Sequence, residues 1–432
     1  MNDSPGYRFF IVWSGQLLSG LGTGMTGFAL GVHLFRETGS AAGFAMVILA
    51  LFLPSILLKP FGGVLADRLD RRSLIAFGDI GSAAAVLFIL LMLRQGDWHP
   101  WQIYIAVAVS SACTAVQNPA YKASVTDLVP ETQFGKAGGL VQLAGSVQHL
   151  IAPVAAGAIY TVAGVQAVLL VDITTFVAAV AAVLAIGGHV PPRRPAAPSR
   201  LLPELKAGAS VVLANRRVLH TVLVISLVTF FVGILQTLFG PMMLSITDAK
   251  TLGFVQSVSA SGMLVSSVAI GLRGLPKWEA LLLPVSLSAA GLFLTFMGVS
   301  GTVPWITITF FLFFVTLPVI NTAAELQIRT AVPNEFQGRA WGLIGFLSQL
   351  GYVAAYVGAG LLADKLFNPA LMPKGALAGS VGSIVGVGPG RGIALMIALS
   401  GLGLVLTGGL TFLAERRRPH RLRAISTQVK GV

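Results

Sequence analysis

The chain has 432 residues, 55% of them hydrophobic and only 10% charged, whereas a soluble domain carries about 25% charged residues. That composition excludes a soluble enzyme and leaves an integral membrane protein. The net charge of +13 does not point to nucleic acid, because such binders gather their basic residues on one folded face and here they sit in alternate loops. The single cysteine, Cys113, lies in an apolar run and has no second cysteine to pair with.

A bilayer-crossing helix needs about 20 predominantly apolar residues. Twelve stretches meet that length, near 9–35, 42–64, 73–93, 101–121, 137–162, 165–187, 218–245, 251–272, 279–299, 303–325, 340–363 and 391–413. The expected fold class is all-α integral membrane, with two pseudo-symmetric six-helix bundles. Residues 1–187 form the first bundle and 217–414 the second. Residues 188–216 form a cytoplasmic linker, and 415–432 a basic tail. The linker opens on Pro191, Pro192 and Pro195. It then alternates apolar and basic residues through Leu201–Arg217, the pattern of an interfacial amphipathic helix. Asn368–Gly390, rich in Gly and Pro, is expected to be an exposed, non-helical outer loop.

Basic residues set the orientation. The termini and the even-to-odd loops, with their flanks, hold 23 of the 29 Lys and Arg. The other side holds six: Arg36, Arg94, Lys250, Lys365, Lys374 and Arg391. Both termini are therefore expected in the cytoplasm.

One half of the chain repeats in the other. Asn118 and Ala120 recur as Asn321 and Ala323, a shift of 203 residues. At the same shift Val129-Pro130, Gly135, Lys136 and Ala137 recur as Val332-Pro333, Gly338, Arg339 and Ala340. Six spans per copy give the copies the same orientation, as parallel repeats.

Between the second and third spans runs Gly63-x-Leu65-Ala66-Asp67-Arg68-x-Asp70-Arg71-Arg72. With the six-plus-six organisation, this loop resembles the signature of the major facilitator superfamily, although Asp70 stands where Gly is usual. Thr38-Gly39-Ser40, Pro54 and Val171-Asp172-Ile173-Thr174-Thr175-Phe176 are similar to its drug:proton antiporter branch, which holds macrolide efflux proteins and the enterobactin exporter. Ala152-Pro153-x-x-x-Gly157 resembles that branch's G-P-x-x-x-G signature with Ala in the first place. The resemblance implies a secondary-active exporter of amphipathic small molecules, driven by proton antiport through rocker-switch alternating access. A siderophore or lysophospholipid carrier is an alternative within transport. A non-transporting membrane sensor or assembly partner is the alternative from another class.

Three constellations carry the functional expectations. Gly63, Asp67, Arg68, Arg71, Arg72 and Asp127 form a conformational latch: the resemblance implies that Asp67 faces the N-terminus of the eleventh span, while Arg71 or Arg72 pairs with Asp127. The alternative is a loop whose charges only set topology. Charges inside a span cost several kcal/mol and are functional suspects, so Asp172, Glu325 and Asp79 are the proton-coupling candidates. Against this, Asp172 has the alternative of a structural hydrogen bond, Asp79 of belonging to the loop's charge network, and Glu325 of an intrahelical pair with Arg329, four residues on. His149 either titrates near neutral pH or is a satisfied buried histidine.

Polar residues at helical spacing complete the set: Gln16, Ser19, Thr23 and Thr26 on the first span, and Ser111, Thr114, Gln117 and Asn118 on the fourth. With Asn321 on the tenth, they are the substrate-cavity candidates. Gln142, Ser146, His149 and Pro153 make a similar face on the fifth. Interhelical contact is their other reading, since small polar residues also join membrane helices. No P-loop, H-E-x-x-H or Cys/His cluster is present. The expectation is a monomeric non-enzyme with no cofactor and no metal, working on a small-molecule substrate and protons among membrane lipids, in the cell membrane of a bacterium.

Overall fold

A computed structural model describes residues 5–186, 215–273, 279–299, 301–332 and 337–416. Within these, the side chains of residues 5, 59, 60, 63, 67, 126, 131, 135, 217, 279, 280, 337–343 and 346 are not described. The expected linker helix and basic tail lie outside the described residues.

The described chain is almost wholly helical. The long helices are α1 (Pro5–Thr38), α2 (Ala41–Arg68), α3 (Arg71–Gln95), α4 (Pro100–Leu128), α5 (Phe134–Ala185), α6 (Arg216–Leu244), α7 (Ala249–Arg273), α8 (Glu279–Val299), α9 (Val303–Ala331), α10 (Gln337–Leu362) and α11 (Arg391–Arg416). Ten of the helices among the described residues are long and apolar enough to cross a membrane. Helix α4 is not one of them, because Ser110, Ser111, Thr114, Gln117 and Asn118 dilute its apolar run. Helix α5 has 52 residues and is two helices joined at Gly164, whose φ of 75° breaks the helical path. The sequence placed the same break between residues 162 and 165.

Local chemistry sets the helix ends. Asp70 caps α3 by accepting from Ser73 N at 3.0 Å and from Ser73 Oγ at 2.7 Å. That gives a reason for Asp where the signature has Gly: a short carboxylate is a strong N-cap. His99 and Gln102 close a capping box at the start of α4, with His99 N donating to Gln102 Oε1 at 2.8 Å. Gly96, at φ 81°, ends α3 in the left-handed conformation.

The repeat appears in the helices themselves. α4 and α9 are each 29 residues long, and the shift of 203 residues superposes their bounds. Each ends on an extended valine, Val129 or Val332, whose N–H returns to the carbonyl four residues back.

The chain folds as two compact units. The first comprises Met1–Leu201, Gly233–Ala260 and Val353–Ile393, and the second Leu202–Val232, Ser261–Tyr352 and Ala394–Val432. In the first unit α1 packs along α5, and α4 lies against α2 and α3. Phe9, Val12, Leu74, Ile75, Ala120, Val125 and Val183 form a buried core near the N-terminus of α1. Parts of the second half join this unit at the opposite end. Gly157 of α5 lies against the backbone of Ala249, and Gly253 of α7 against the carbonyl of Pro153, so the Ala-Pro-x-x-x-Gly run is a contact surface for α7. Tyr356 of α10 donates to Gln236 Oε1 and meets the Phe52 ring edge-on, with centroids 5.1 Å apart.

In the second unit Val218, Val222, Ile328, Val332 and Ile344 make a smaller core. There Asn215 Nδ2 donates to Ala331 O at 3.0 Å, tying the start of α6 to the end of α9. Many large apolar side chains on both units are exposed, such as Phe61, Phe88, Leu272 and Leu406. Lipid is the solvent for those faces.

The expected non-helical loop between α10 and α11 differs from the reading of its composition. It opens on a π-helical turn, Ala363–Phe367, and holds two short helical turns, Asn368–Ala370 and Gly382–Val385. Leu371 and Val385 are buried within it, and Gly388 N closes it by donating to Leu371 O at 2.9 Å. These two buried apolar residues and a set of backbone hydrogen bonds make it a folded loop.

Candidate functional site

A cavity of about 490 Å³ opens in the first unit between α1, α4 and α5. Gln16, Ser19, Thr23, Thr114, Gln117 and Asn118 line it, all of them expected from the polar stripes. Gln142, His149 and Pro153 of α5 line it too. His149 is exposed, which sets aside the satisfied buried histidine. Sequence reasoning missed Tyr121, Lys122 and Gln148. The signal for Tyr121 and Lys122 was their position one turn beyond Gln117 and Asn118 on the same face. No Asp or Glu is among the described residues lining the cavity.

Three expected cavity residues stand elsewhere. Thr26 donates to Asp172 Oδ2 at 2.6 Å. Ser111 Oγ donates to Leu51 O, joining α4 to α2, which is the interhelical use of a small polar residue. Asn321 is exposed on α9 in the second unit and is not part of this cavity's lining.

Behind the cavity wall are two buried carboxylates. Asp79 is fully buried, accepting from Gln16 Nε2 at 2.8 Å and from Ser19 Oγ at 2.9 Å. Gln117 Nε2 in turn donates to Gln16 Oε1 at 2.8 Å. Asp79 is thus held by polar side chains of α1, with Gln117 of α4 beside them, and not by the charged loop, which corrects the alternative that placed it in the loop's network. Two of the loop's cations, Arg71 and Arg72, are used by other partners.

Asp172 is also fully buried. Besides Thr26, Thr175 Oγ1 reaches its Oδ1 at 3.4 Å. Gly22 makes room for it, since a Cβ there would fall on Asp172 Oδ1 and Thr175 Oγ1. Ser19 and Thr26 are seven residues apart, so the two acids meet α1 about 10 Å apart along its axis. Among the described residues neither has a Lys, Arg or His partner. Neutral donors alone hold them.

Glu325 is different. It lies on the surface of α9 and pairs with Arg329 at 3.4 Å, with both side chains more than half exposed. Such a pair contributes about 0.3–0.5 kcal/mol.

At the α2–α3 turn, Arg71 is buried and pairs with Asp127 of α4 at 2.5 Å. The same guanidinium donates to Ala123 O at 3.0 Å and Ala66 O at 3.2 Å, so three elements meet on one side chain. Arg72 turns the other way: its Nε donates to Val183 O at 2.8 Å and its NH2 to Leu184 O, at the C-terminal end of α5. A cation there satisfies terminal carbonyls and complements the helix dipole. Arg68 is exposed. The side chains of Gly63 and Asp67 lie outside the described residues, as does that of Lys59. No group of three or more His, Cys, Asp and Glu fit to hold a metal exists among the described residues.

A bundle of long apolar helices with a polar cavity in it, and buried acids against the cavity wall, is the architecture of a multi-pass membrane transporter of small molecules. The chain belongs to the Major Facilitator Superfamily, whose family model matches residues 12–356. It is 27% identical over 381 residues to macrolide efflux protein A of Streptococcus pyogenes, a match that covers 83% of this chain and 90% of that one. The macrolide efflux protein A of Enterococcus faecalis is 28% identical over 334 residues, covering 72% and 98%. Among solved structures, a bacterial homolog of the human lysosomal transporter Spinster, in an inward-facing and unoccupied conformation, has a TM-score of 0.70 at 14% identity, covering 96% of this chain and 98% of that one. That likeness speaks to the fold alone.

Proposed function

We propose that this protein is a secondary-active exporter of amphipathic small molecules in a bacterial cell membrane, working by proton antiport with rocker-switch alternating access. It crosses the membrane twelve times with both termini in the cytoplasm. The observation that carries the reading is the bond between cavity and acid: Gln16 and Ser19 line the cavity and at the same time hold the buried Asp79. A substrate that takes a hydrogen bond from either residue competes with the carboxylate for it. Protonating the carboxylate makes it a donor as well as an acceptor, so Gln16 and Ser19 must rearrange, and the donor set a substrate meets is disrupted. One pair of side chains thus links proton and substrate occupancy, with the protonated state binding substrate more weakly, which is the sign antiport requires.

Asp172, held on the same face of α1, is the second carrier. Arg71 with Asp127, and Asp67 at the end of α2, form the latch on the cytoplasmic side. The export direction rests on the relatives named macrolide efflux protein, and a macrolide is the first substrate to try.

The test is transport into inverted membrane vesicles under an imposed pH gradient, beside equilibrium binding of the same compound. Asp79→Asn and Asp172→Asn are each expected to lose gradient-driven uptake and to keep binding. Full gradient-driven uptake by the double variant removes proton antiport through these acids.

A further inference from the structure

The end of α10 repeats the end of α2. Gly63-Val64-Leu65-Ala66-Asp67-Arg68 closes α2, and Gly360-Leu361-Leu362-Ala363-Asp364-Lys365 runs through the end of α10. Glycine, leucine, alanine and aspartate coincide, followed by a basic residue in both. The offset of 297 residues differs from the 203 of the internal duplication, so the duplication does not account for it. By chain order the two copies lie at opposite faces of the membrane.

The second copy is engaged. Ala41 N donates to Asp364 Oδ1 at 3.0 Å and Ala42 N to Oδ2 at 2.9 Å. Ser40 Oγ donates to Oδ2 at 2.7 Å while accepting from Gly43 N at 3.1 Å. The first-turn amides of α2, which the helix itself leaves without partners, are thereby shared between Ser40 and a carboxylate from the other half of the chain. The positive end of the helix dipole favours that charge.

The approach is close. A Cβ on Gly360 would stand 2.6 Å from Ala42 Cα, so only glycine allows α10 to lie here. The π-helical turn Ala363–Phe367 begins at the same point, and such turns interrupt a helix where a side chain must be re-aimed. Lys365 is exposed and leaves Asp364 to α2.

We propose that Asp364 is an outer latch: an acid at the end of α10 that holds the N-terminus of α2 and keeps the outer side shut. It mirrors the role expected of Asp67 at the end of α2. The proposal rests on the alternating-access reading above, in which the halves part on the outer side to release substrate. These three hydrogen bonds join the first half of the chain to the second, so they break when the outer side opens. Removing contacts made in only one of two states shifts the population toward the other.

The experiment reads outward opening directly. In a Cys113→Ser background, Thr23→Cys places a thiol in the cavity wall, and a membrane-impermeant maleimide is applied from outside to intact cells. Asp364→Ala is expected to raise the labelling rate about tenfold, the scale of losing charge-assisted hydrogen bonds at a helix terminus. Ser40→Ala keeps both backbone donors and is expected to change the rate by less than about threefold. Size-exclusion profile and thermal midpoint in detergent establish folding. Should Asp364→Ala not fold, Asp364→Asn, which keeps the side-chain size and one acceptor, makes the same comparison. A wild-type rate in the folded Asp364 variant, with measurable labelling in the parent, overturns the latch and leaves the transport reading standing. No labelling from outside in parent or variant overturns both.

Discussion

Gln16 stands between the cavity and the interior, donating from Nε2 to Asp79 Oδ2 at 2.8 Å while its Oε1 accepts from Gln117. Its amide is fixed by partners on both sides, so its orientation is set before any substrate arrives. Gln16→Leu keeps the volume and removes both bonds. The Leu variant also removes the hydrogen bond that Gln16 offers a substrate, worth about 0.5–1.5 kcal/mol, so substrate affinity is expected to fall by up to about tenfold. Equilibrium binding measures this, and unchanged affinity would remove Gln16 from the substrate site.

Asp172 and Gly22 should respond as a pair. Asp172→Asn keeps an acceptor for Thr26 and is expected to fold. Gly22→Ala puts a methyl where Asp172 Oδ1 and Thr175 Oγ1 now lie. Overpacking of this kind costs about 1–3 kcal/mol, and the thermal midpoint is expected to drop. Asp172→Ala in the Gly22→Ala background restores room, and a recovered midpoint confirms that the carboxylate occupies the glycine's space.

Three arginines in one turn should give three different answers. Arg71→Ala leaves Asp127 and the carbonyls of Ala66 and Ala123 without their cation. Breaking a buried pair this way costs about 3–5 kcal/mol, with the low end expected here because Asp127 is partly exposed. Arg72→Ala loses the contacts to the α5 terminus and should cost about 1 kcal/mol. Arg68→Ala should stay within about 0.5 kcal/mol. Denaturation midpoints of the three variants in one detergent rank them, and equal losses would contradict the assigned partners.

Asp248 supplies the pH dependence. It stands outside the spans, ahead of α7, where Thr251 N donates to its Oδ1 at 2.8 Å. That backbone hydrogen bond holds its carboxyl below the usual 3.8. A carboxyl whose folded pKa lies below its unfolded one adds stability above the unfolded value. That stability is lost as the pH falls through the folded value. The thermal midpoint of Asp248→Asn is therefore expected to fall less steeply on acidification below about pH 4 than that of the parent. Parallel curves would remove Asp248 from the acid response.

The sequence by itself determined most of the long apolar helices, because twenty-residue apolar runs are a local property that lipid reads directly; α4, diluted by its polar stripe, falls short of that measure. It also placed the break near Gly164 and gave the polar stripes of α1, α4 and α5, since helical spacing puts residues on one face whatever packs there. The repeat was legible as shared residues at a fixed shift, and α4 and α9 carry it to their last hydrogen bond.

Only the tertiary structure decided which stripe residue does what. Thr23 and Thr26 are one turn apart on α1, yet one faces the cavity and the other holds Asp172, because a different helix lies against each. Asp79 looked like part of a charged loop by sequence distance, and packing gave it to α1 instead. Asp364 showed least of all. Nothing local distinguishes it from any acid near a helix end, and its partners lie more than 320 residues away. A carboxylate finds a helix terminus only when the fold brings the two together, and no spacing rule along the chain encodes that meeting.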